Sequence, residues 1–483
     1  MQNHEVSVKK NVVLNVLKQT CAIVFPFLTF SYASHILGAE KTGIYTFGQS
    51  IVSYFFYLAM LGIPDYAVRE IAAVRDDEAM LEKLANELFM IQLLSSLFSY
   101  IILFFVLGIW EKSYLYQNVI LILSSQIALT AVGADWVNAA FEDFTYLTVR
   151  YLVTASVCTA AIFLFVKGPE DLYCYTLFSV LCTAGGNLWN LFYIRRYVRL
   201  RPTMHLELKR HLPRMLLFFL NSMALVVYLY SDITLLGMIA GDTAVGIYSV
   251  PAKIYMVTKA MVNAVIMSVV PGLSHIIAEK GKKDTVRMLS ETADLLCLLL
   301  IPAALGIFLE AENIIYFVAG SSYLGGAAVL RIYSVTILFA VAACFFSYAV
   351  LVPFHLEKYF LLSTVLAAGL NIGLNFWLIP HLGMNGAALT TLLAEITVAF
   401  VSFYFVRKAA GVRLSIGKKD ICTELAGGLA IVIVCFAVRQ PGFSRIVELG
   451  VSIALAAAIY ASILLGMKNK TFLVFLQSVW KRR

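Results

Sequence analysis

Three ionisable residues lie close together in a stretch of sequence that is otherwise apolar. Asp232, Lys253 and Lys259 belong to two predicted membrane helices within 216–271, joined by a tight turn at 240–243. An ionised side chain near the centre of a bilayer costs about 2.5–3.5 kcal/mol on insertion scales. We therefore expect these three groups to face a polar interior, where they can bind an ionic ligand or pair with one another.

Four predicted spans carry polar side chains at helical spacing, and they are the first two spans of each half of the chain. The stripes are Asn11, Asn15 and Lys18; Gln49, Ser53 and Tyr57; Asn221, Tyr228 and Asp232; and Tyr248, Tyr255, Lys259 and Asn263. We predict that they line a common interior. Interhelical hydrogen bonding without a ligand is the alternative for each polar residue. For Lys253 and Lys259 the alternative is pairing with Asp232, or snorkelling towards an interface.

Three further charged residues are candidates for gating or coupling. Glu395 lies deep in predicted span twelve, where it could be protonated, paired or coupled to ion movement. Asp135 lies near the cytoplasmic end of span four, and solvation at the surface is its simpler explanation. Arg69 lies at the predicted cytoplasmic mouth, where an ion pair with Asp65, four residues earlier, is favoured over a role in headgroup capture.

The composition is that of a polytopic helical membrane protein. Of its 483 residues, 61% are hydrophobic and 14% are charged, and the mean hydropathy is +0.84. Soluble domains carry about 25% charged residues, so the composition excludes a soluble enzyme. Apolar runs of about 20 residues, the length that crosses a bilayer as a helix, recur along the whole chain. We predict an all-α protein with about fourteen transmembrane helices.

An internal repeat and a basic break predict two six-helix lobes. Gly43-Ile44-Tyr45 opens predicted span two, and Gly246-Ile247-Tyr248 opens span eight. Such repeats indicate lobes in a pseudo-two-fold arrangement with the substrate path between them. The predicted parts are an N-lobe of spans one to six (1–194), a cytoplasmic basic linker (195–215), a C-lobe of spans seven to twelve (216–406), and spans thirteen and fourteen with an amphipathic C-terminal tail (407–483).

The distribution of basic residues predicts the orientation in the membrane. With both termini assigned to the cytoplasm, most Lys and Arg fall in cytoplasmic gaps, as the positive-inside rule requires. The basic residues assigned to the opposite side are Lys41, Lys112, Lys167, Arg331, Arg439 and Arg445. We therefore expect a multi-pass protein of the plasma membrane with both termini cytoplasmic. Because the basic residues sit in short loops between spans, we do not expect nucleic-acid binding.

Motifs of enzyme chemistry are absent from the sequence. The eight cysteines lie in or beside apolar runs without Cys-x-x-Cys spacing, and the seven histidines lack metal-ligand spacing. There is no Walker A sequence, Ser/His/Asp set or paired-carboxylate site. We predict no catalytic residues, no metal site and no cofactor, and we expect any transport to be driven by a gradient or by the supply of substrate.

Short motifs follow one another along nearly the whole chain. They are Leu37-Gly38, Gly43-Ile44-Tyr45, Gly62-Ile63-Pro64 and Arg69-Glu70 in the first half; Ser231-Asp232, Gly237, Gly246-Ile247-Tyr248-Ser249, Lys253 and Pro271 in the second; and Gly383-Met384-Asn385-Gly386-Ala387-Ala388 late in the chain. In order and spacing they resemble the Wzx-type polysaccharide-biosynthesis flippases. These belong to the multidrug/oligosaccharidyl-lipid/polysaccharide (MOP) exporter superfamily.

The resemblance implies a flippase for undecaprenyl-pyrophosphate-linked oligosaccharide repeat units in a bacterial inner membrane. Such a protein moves the sugar headgroup from the cytoplasmic to the outer leaflet by alternating access through a central cationic cavity. The product serves O-antigen, capsule or exopolysaccharide synthesis. Coupling to H⁺ or Na⁺ is left open. The expected partners are lipid-linked oligosaccharide and membrane lipids, with a polysaccharide polymerase and glycosyltransferases as candidate protein partners.

On this hypothesis the basic residues of the interior attract the pyrophosphate, to which a lysine presents a point charge. Lys18, Lys253 and Lys259 have this role. Asp232 orients a lysine or acts as a gate. The tyrosines would stack on sugar rings, and the polar amides complete the lining. The residues concerned are Tyr228, Tyr248 and Tyr255, and Asn15 and Gln49.

Two rival functions come from the same superfamily. The first is a lipid II flippase like MurJ, whose relatives tend to place several arginines in the spans that line the interior, whereas spans one, two, seven and eight here contain none. The second is a cation-coupled multidrug exporter like MATE, which should favour acids over bases inside. A membrane scaffold for a glycan-assembly complex is the alternative outside transport.

Overall fold

The computed structural model describes residues 2–279, 282–414 and 417–480. Within these ranges the chain is helical and contains no strand, so the predicted all-α architecture is confirmed. The chain separates into two compact units, one up to Gly246 and the other from Ile247 onward. The side chains of Asn11 and Asn15 lie outside the described residues.

The first unit is arranged around its first helix. Its helices are α1 (Gln2–Met60), α2 (Ile63–Val74), α3 (Glu78–Ile109), α4 (Gln117–Gly133), α5 (Asp135–Ala140), α6 (Phe144–Phe165), α7 (Leu172–Val180), α8 (Asn187–Tyr193) and α9 (Leu208–Ala240). A π-helical segment, Leu181–Gly185, joins α7 to α8. Helix α1 packs against α3, α4, α6 and α9, so the polar residues on these helices are brought around one central element.

The second unit contains two packed groups of helices that share one member. Its helices are α10 (Asp242–Glu279), which begins just before the boundary, α11 (Lys282–Leu309), α12 (Ala311–Ala319), α13 (Ala327–Cys344), α14 (Glu357–Leu382), α15 (Met384–Lys408), α16 (Lys418–Arg439), α17 (Arg445–Gly466) and α18 (Lys470–Trp480). Helix α13 packs on α11 and α15, and α15 also packs on α14. Helices α16 and α17 pair with each other, and α16 packs on α11. The predicted amphipathic tail forms α18, which packs against α11 and α17.

The helices have the length and composition of membrane spans. In the described part of the chain, twelve helices are long and apolar enough to cross a membrane. One of these, Leu17–Val74, covers predicted span two (44–65) and most of predicted span one (12–35), and Gly38 interrupts it with φ 75° and ψ 172°. A shorter apolar helix, Gln117–Gly133, lies in predicted span four. The membrane class is therefore confirmed, while the number fourteen stays a prediction.

The predicted basic linker is partly helical. Residues 197–207 have no regular secondary structure, and α9 already begins at Leu208. Lys83 of α3 forms an ion pair with Glu207 at 2.6 Å, and the side chain of Asn86 accepts from the backbone N–H of Arg201 at 2.7 Å. This connection is thus held against the side of α3. The predicted division into lobes and linker stays a prediction.

A buried chain of hydrogen bonds anchors α2 to the start of α9. The hydroxyl of Tyr66 lies 2.8 Å from Nδ1 of His211, and Nε2 of His211 lies 3.0 Å from a carboxylate oxygen of Glu87 on α3. None of the three residues is more than 3% exposed. A buried polar network in which the side chains are hydrogen-bonded to one another fixes one arrangement of the helices that carry it. The short helix α2 is therefore tied to both neighbours.

The two Gly-Ile-Tyr repeats meet at their glycines. A Cβ atom on Gly43 would overlap the backbone carbonyl of Asp242, and one on Gly246 would overlap the backbone carbonyl of Ala39. Small residues allow membrane helices to approach this closely. Helix α9 ends at Ala240 and α10 begins at Asp242, so the predicted tight turn at 240–243 is also confirmed.

We expect Gly43→Ala and Gly246→Ala each to destabilise the protein by about 1–3 kcal/mol, because the obstructing atoms are backbone atoms that cannot rotate away. Thermal unfolding of the purified protein in detergent would measure the change. Gly108→Ala is the matched control, because nothing lies within 4 Å of a Cβ at this helical glycine of α3. Equal unfolding temperatures for Gly43→Ala and Gly108→Ala would contradict the close approach.

Candidate functional site

A lysine and a glutamate from two helices of the second unit form a buried ion pair. Lys259 of α10 donates from Nζ to Oε1 of Glu395 on α15, and Tyr255 donates to the same oxygen over 2.9 Å. Only 5% of the Glu395 side chain and 23% of the Lys259 side chain are exposed. Mutual attraction and the added hydrogen bond offset the cost of burying two charges. Of the alternatives open for Glu395, the structure therefore shows pairing, with Lys259 as the partner.

Tyrosines extend this pair into a larger cluster. Tyr333 of α13 stacks on Tyr255, with ring centroids 4.7 Å apart and 11° between the ring planes, and its hydroxyl is hydrogen-bonded to that of Tyr248. Tyr248 and Tyr255 are buried, with exposures of 1% and 8%. Protein therefore covers one face of the Tyr255 ring, and stacking of these tyrosines on sugar stays a prediction. We call Tyr248, Tyr255, Lys259, Tyr333 and Glu395 the C-terminal charge cluster.

A second ion pair lies in the first unit. Arg150 of α6 donates from Nη2 to Asp135 of α5 over 2.6 Å and to the side-chain oxygen of Asn187 over 3.2 Å. Asn190 of α8 donates to Asp135 over 3.0 Å and to the side-chain oxygen of Asn138 over 2.7 Å. The Arg150 side chain is 9% exposed and that of Asp135 is 36% exposed. Three helices are thereby joined through one guanidinium and one carboxylate.

Lys18 of α1 belongs to the same group. The hydroxyl of Thr148 donates to the backbone carbonyl of Leu14 over 3.1 Å, which holds the start of α6 against α1. Lys18 is half-buried and lies within electrostatic range of both Asp135 and Arg150. We call Lys18, Asp135, Asn138, Arg150, Asn187 and Asn190 the N-terminal charge cluster. Surface solvation, the simpler explanation expected for Asp135, describes only part of its setting, because its side chain is 36% exposed and also binds the buried Arg150.

The predicted ion pair of Arg69 with Asp65 is also corrected. Arg69 pairs instead with Glu70, the next residue, at 3.1 Å. Its guanidinium lies over the rings of Tyr66 and Phe218, 5.8 Å and 5.5 Å from the centroids. More than half of its side chain, 56%, is exposed. One aromatic ring of α2 and one of α9 thus orient Arg69, and a helix-spacing argument does not take these contacts into account.

The remaining predicted interior residues lie on the expected helices. Asp232 is buried in α9 at 7% exposure, and Tyr228 is half-buried on the same helix. Gln49 in α1 and Lys253 in α10 are half-buried. Asn15 lies outside the residues whose side chains are described. Whether these residues share one interior stays a prediction.

Sequence reasoning missed most of the N-terminal charge cluster. Asp135 and Asn138 are three residues apart in one apolar segment, and Asn187 and Asn190 are three residues apart in another. This spacing puts each pair on one helix face and could have indicated the cluster. The positive-inside assignment counts Arg150, after predicted span four, among the cytoplasmic basic residues.

Two protein families each match more than half of the chain. The polysaccharide biosynthesis protein family matches residues 8–277, and the lipid II flippase MurJ family matches residues 176–461. The putative O-antigen transporter of Escherichia coli (strain K12) is 23% identical over 420 residues, which are 84% of this chain and 98% of that protein. The probable low-salt glycan biosynthesis flippase Agl15 of Haloferax volcanii is 23% identical over 243 residues, 49% of this chain and 50% of that protein.

The fold is shared with a solved membrane protein. The lipid II flippase MurJ in an inward closed conformation superposes with a TM-score of 0.72 and covers 94% of this chain and 99% of its own. The two sequences are 14% identical, so this likeness shows the fold alone.

We expect Glu395→Gln and Lys259→Met each to destabilise the protein by about 3–5 kcal/mol, because each leaves a buried charge without its main partner. The double variant should lose less free energy of unfolding than the two single variants together. Unfolding by denaturant in detergent micelles would measure this double-mutant cycle. Glu291→Gln is the matched control, because it breaks the Arg287–Glu291 pair, whose side chains are 76% and 63% exposed. Its effect should stay below about 1 kcal/mol. Strictly additive effects at Lys259 and Glu395 would contradict the coupling.

Proposed function

Because the chain belongs to the polysaccharide biosynthesis protein family, as a Wzx-type flippase of the MOP exporter superfamily, we propose that its cargo is a lipid-linked oligosaccharide. The lipid carrier is undecaprenyl pyrophosphate. The protein moves the sugar headgroup from the cytoplasmic to the outer leaflet of the bacterial inner membrane, and the product serves the synthesis of surface polysaccharide.

The relatives support a glycan cargo. The family that matches residues 8–277 is described by polysaccharide biosynthesis, and two relatives are named for O-antigen transport and for glycan biosynthesis. The chain is a multi-pass membrane protein, with twelve suitable helices in its described part. A large hydrophilic headgroup cannot cross the hydrocarbon core unaided, so a polysaccharide-related membrane protein of this kind is suited to carry one across.

The observation that carries the proposal is cationic charge placed on apolar membrane helices. Lys18, Arg150 and Lys259 each lie on such a helix, and each has a carboxylate nearby. Charged groups at these positions are costly and mark substrate pathways in membrane proteins. An anionic pyrophosphate supplies the complementary charge that a neutral sugar lacks. The cations therefore favour a lipid pyrophosphate as the recognised part of the cargo.

The predicted residues of spans seven, eight and twelve have the following roles in this mechanism. Lys253 and Lys259 attract the pyrophosphate, and Glu395 holds Lys259 in place until the anion competes for it. Asp232 orients a lysine or acts as a gate. The tyrosines Tyr228, Tyr248 and Tyr255 bind sugar rings once the headgroup has displaced their protein contacts. Alternating access between two lobes carries the headgroup across, with both termini in the cytoplasm and coupling to H⁺ or Na⁺ left open.

A lipid II flippase is the second candidate function. The observation in its favour is the match of the MurJ family to residues 176–461. Lipid II shares the pyrophosphate carrier with the proposed cargo, so the charge clusters suit both. A MATE-like exporter of cationic drugs fits the buried cations less well. Because the two candidate cargoes share the carrier, an experiment has to distinguish the two functions by the sugar headgroup.

The deciding experiment measures headgroup sidedness in vesicles that contain the purified chain. Labelled lipid-linked oligosaccharide is placed in one leaflet, and a membrane-impermeant reagent that modifies the sugar reports how much reaches the other. Lipid II is assayed in parallel. We expect oligosaccharide transfer well above that of protein-free vesicles. Transfer of lipid II alone would establish the second candidate, and transfer of neither would favour a scaffold.

We expect Lys253→Ala combined with Lys259→Ala to abolish transfer, because the pyrophosphate loses the cations that attract it. The same vesicles give the measurement, with correct insertion checked by protease protection. Lys112→Ala combined with Lys358→Ala is the control, because it removes two lysines that are exposed in the structure and should leave transfer unchanged. Full transfer by the inserted Lys253/Lys259 variant would exclude this role for the two lysines.

A further inference from the structure

Two interrupted helices and α6 meet at the N-terminal charge cluster. Helices α4 and α5 are separated by Ala134, which has the left-handed conformation with φ 46°. The π-helical segment Leu181–Gly185 precedes α8, which begins at Asn187. Irregular backbone at membrane depth is tolerated where protein buries it or where it lines a polar cavity, and transporters build binding sites at such breaks. The cluster therefore lies at the kind of helix break at which transporters build binding sites.

Arg150 has hydrogen-bonding capacity left over at this position. Its Nη2 donates to both Asp135 and Asn187, whereas its buried Nη1 has no hydrogen-bond partner among the described residues. The same is true, within the described part of the chain, of the buried side-chain nitrogen of Asn138. A buried donor without an acceptor is costly, and a charged one more so. A ligand oxygen beside Nη1 of Arg150 would satisfy the charged donor.

The charge of the cluster selects the sign of the ligand. Lys18 and Arg150 contribute two positive charges and Asp135 one negative charge, and the three lie within electrostatic range of one another. The net positive charge disfavours a metal cation and favours an anion. A guanidinium offers a planar fork of donors that matches the oxygens of a phosphate. The ligand is therefore expected to carry a phosphate or pyrophosphate group.

The cluster is more accessible at its carboxylate than at its guanidinium. The side chain of Asp135 is 36% exposed, whereas that of Arg150 is 9% exposed. An anion that approaches from the accessible side meets the Asp135 carboxylate before the guanidinium. The half-buried Lys18 lies within electrostatic range of both groups. The anion can then replace the Asp135 carboxylate as the partner of the guanidinium.

We propose that the N-terminal charge cluster is an anion subsite that binds a phosphate or pyrophosphate group through Arg150, with Lys18 as the second cation and Asp135 as the competing counter-ion. The proposal rests on the proposed function and deepens it, because it places a pyrophosphate contact in the first unit. Arg150 binds the anion, and Asp135 limits the affinity so that the anion can leave.

Calorimetric titration of the full chain in lipid nanodiscs with inorganic pyrophosphate tests the subsite. We expect Arg150→Gln to weaken binding at least about tenfold, the amount set by one or more charge-assisted hydrogen bonds. Asp135→Asn should tighten binding several-fold, because it removes the competing charge and keeps the shape of the side chain. Arg199→Gln is the control, because it removes an exposed arginine from the irregular stretch 197–207 and should leave binding unchanged.

Arg150→Gln and Asp135→Asn are expected to change the affinity for pyrophosphate in opposite directions, and this difference distinguishes a subsite from a structural ion pair. If Asp135 and Arg150 only stabilise the fold, both variants lower the unfolding temperature and neither changes the affinity for pyrophosphate, which would overturn the proposal. If Arg150→Gln fails to fold, Arg150→Lys replaces it in the test. This variant keeps the positive charge but lacks the planar fork of guanidinium donors. Weaker binding by Arg150→Lys with tighter binding by Asp135→Asn supports the subsite, and unchanged binding in both refutes it.

A competition experiment identifies the source of the anion and keeps the two proposals distinct. Undecaprenyl pyrophosphate in the nanodisc should displace inorganic pyrophosphate from the wild-type chain. Displacement supports a lipid headgroup as the ligand, whereas pyrophosphate binding that the lipid does not displace supports a subsite for free phosphate compounds. Arg150-dependent binding of pyrophosphate in a chain that moves no lipid-linked sugar would leave the subsite standing and refute the proposed function.

Discussion

A charge on a membrane helix has to be compensated by other groups of the protein, and this constraint shapes both units. In each unit a basic side chain is paired with a carboxylate from another helix: Arg150 with Asp135, and Lys259 with Glu395. In each case a further polar side chain, either an asparagine or a tyrosine, donates a hydrogen bond to the carboxylate. Each pair thereby also fixes how the helices that carry it are packed, because separating them would leave ionised groups in an apolar setting.

Interrupted helices are the second recurring feature, and they help to compensate the charges on the membrane helices. Breaks at Ala134 and after the π-helical segment Leu181–Gly185 bring asparagines and a backbone carbonyl to the same level as Arg150. The amide of Asn190 donates to the carbonyl of Gly133 over 2.7 Å, which satisfies one of the groups that the break releases. In an unbroken helix the backbone N–H and C=O groups would be hydrogen-bonded to one another, and the guanidinium would have fewer partners.

Under the two proposals, the two charge clusters act by competition between partners. An internal carboxylate holds each cation in place and makes it tolerable inside a membrane protein. An incoming anionic headgroup, as proposed, would offer the same cation a second partner that is negatively charged like the carboxylate. Because the two partners are alternatives, binding can be reversible without a covalent step. This suits a Wzx-type flippase, which has to release the headgroup that it has bound.

The sequence by itself determined the class of the protein and the location of most of its helices, because hydropathy and helical spacing are local properties of the chain. Its short motifs carried the resemblance to the family. The sequence also identified Glu395 and Lys259 as unusual residues. Only the tertiary structure decided that these two residues, 136 positions apart, are partners. The structure likewise decided that Arg69 pairs with Glu70 instead of Asp65, and that Arg150 belongs to a buried cluster. Such pairings depend on helix packing and on breaks in the helices, and a periodic pattern in one segment carries no information about which other segment lies beside it.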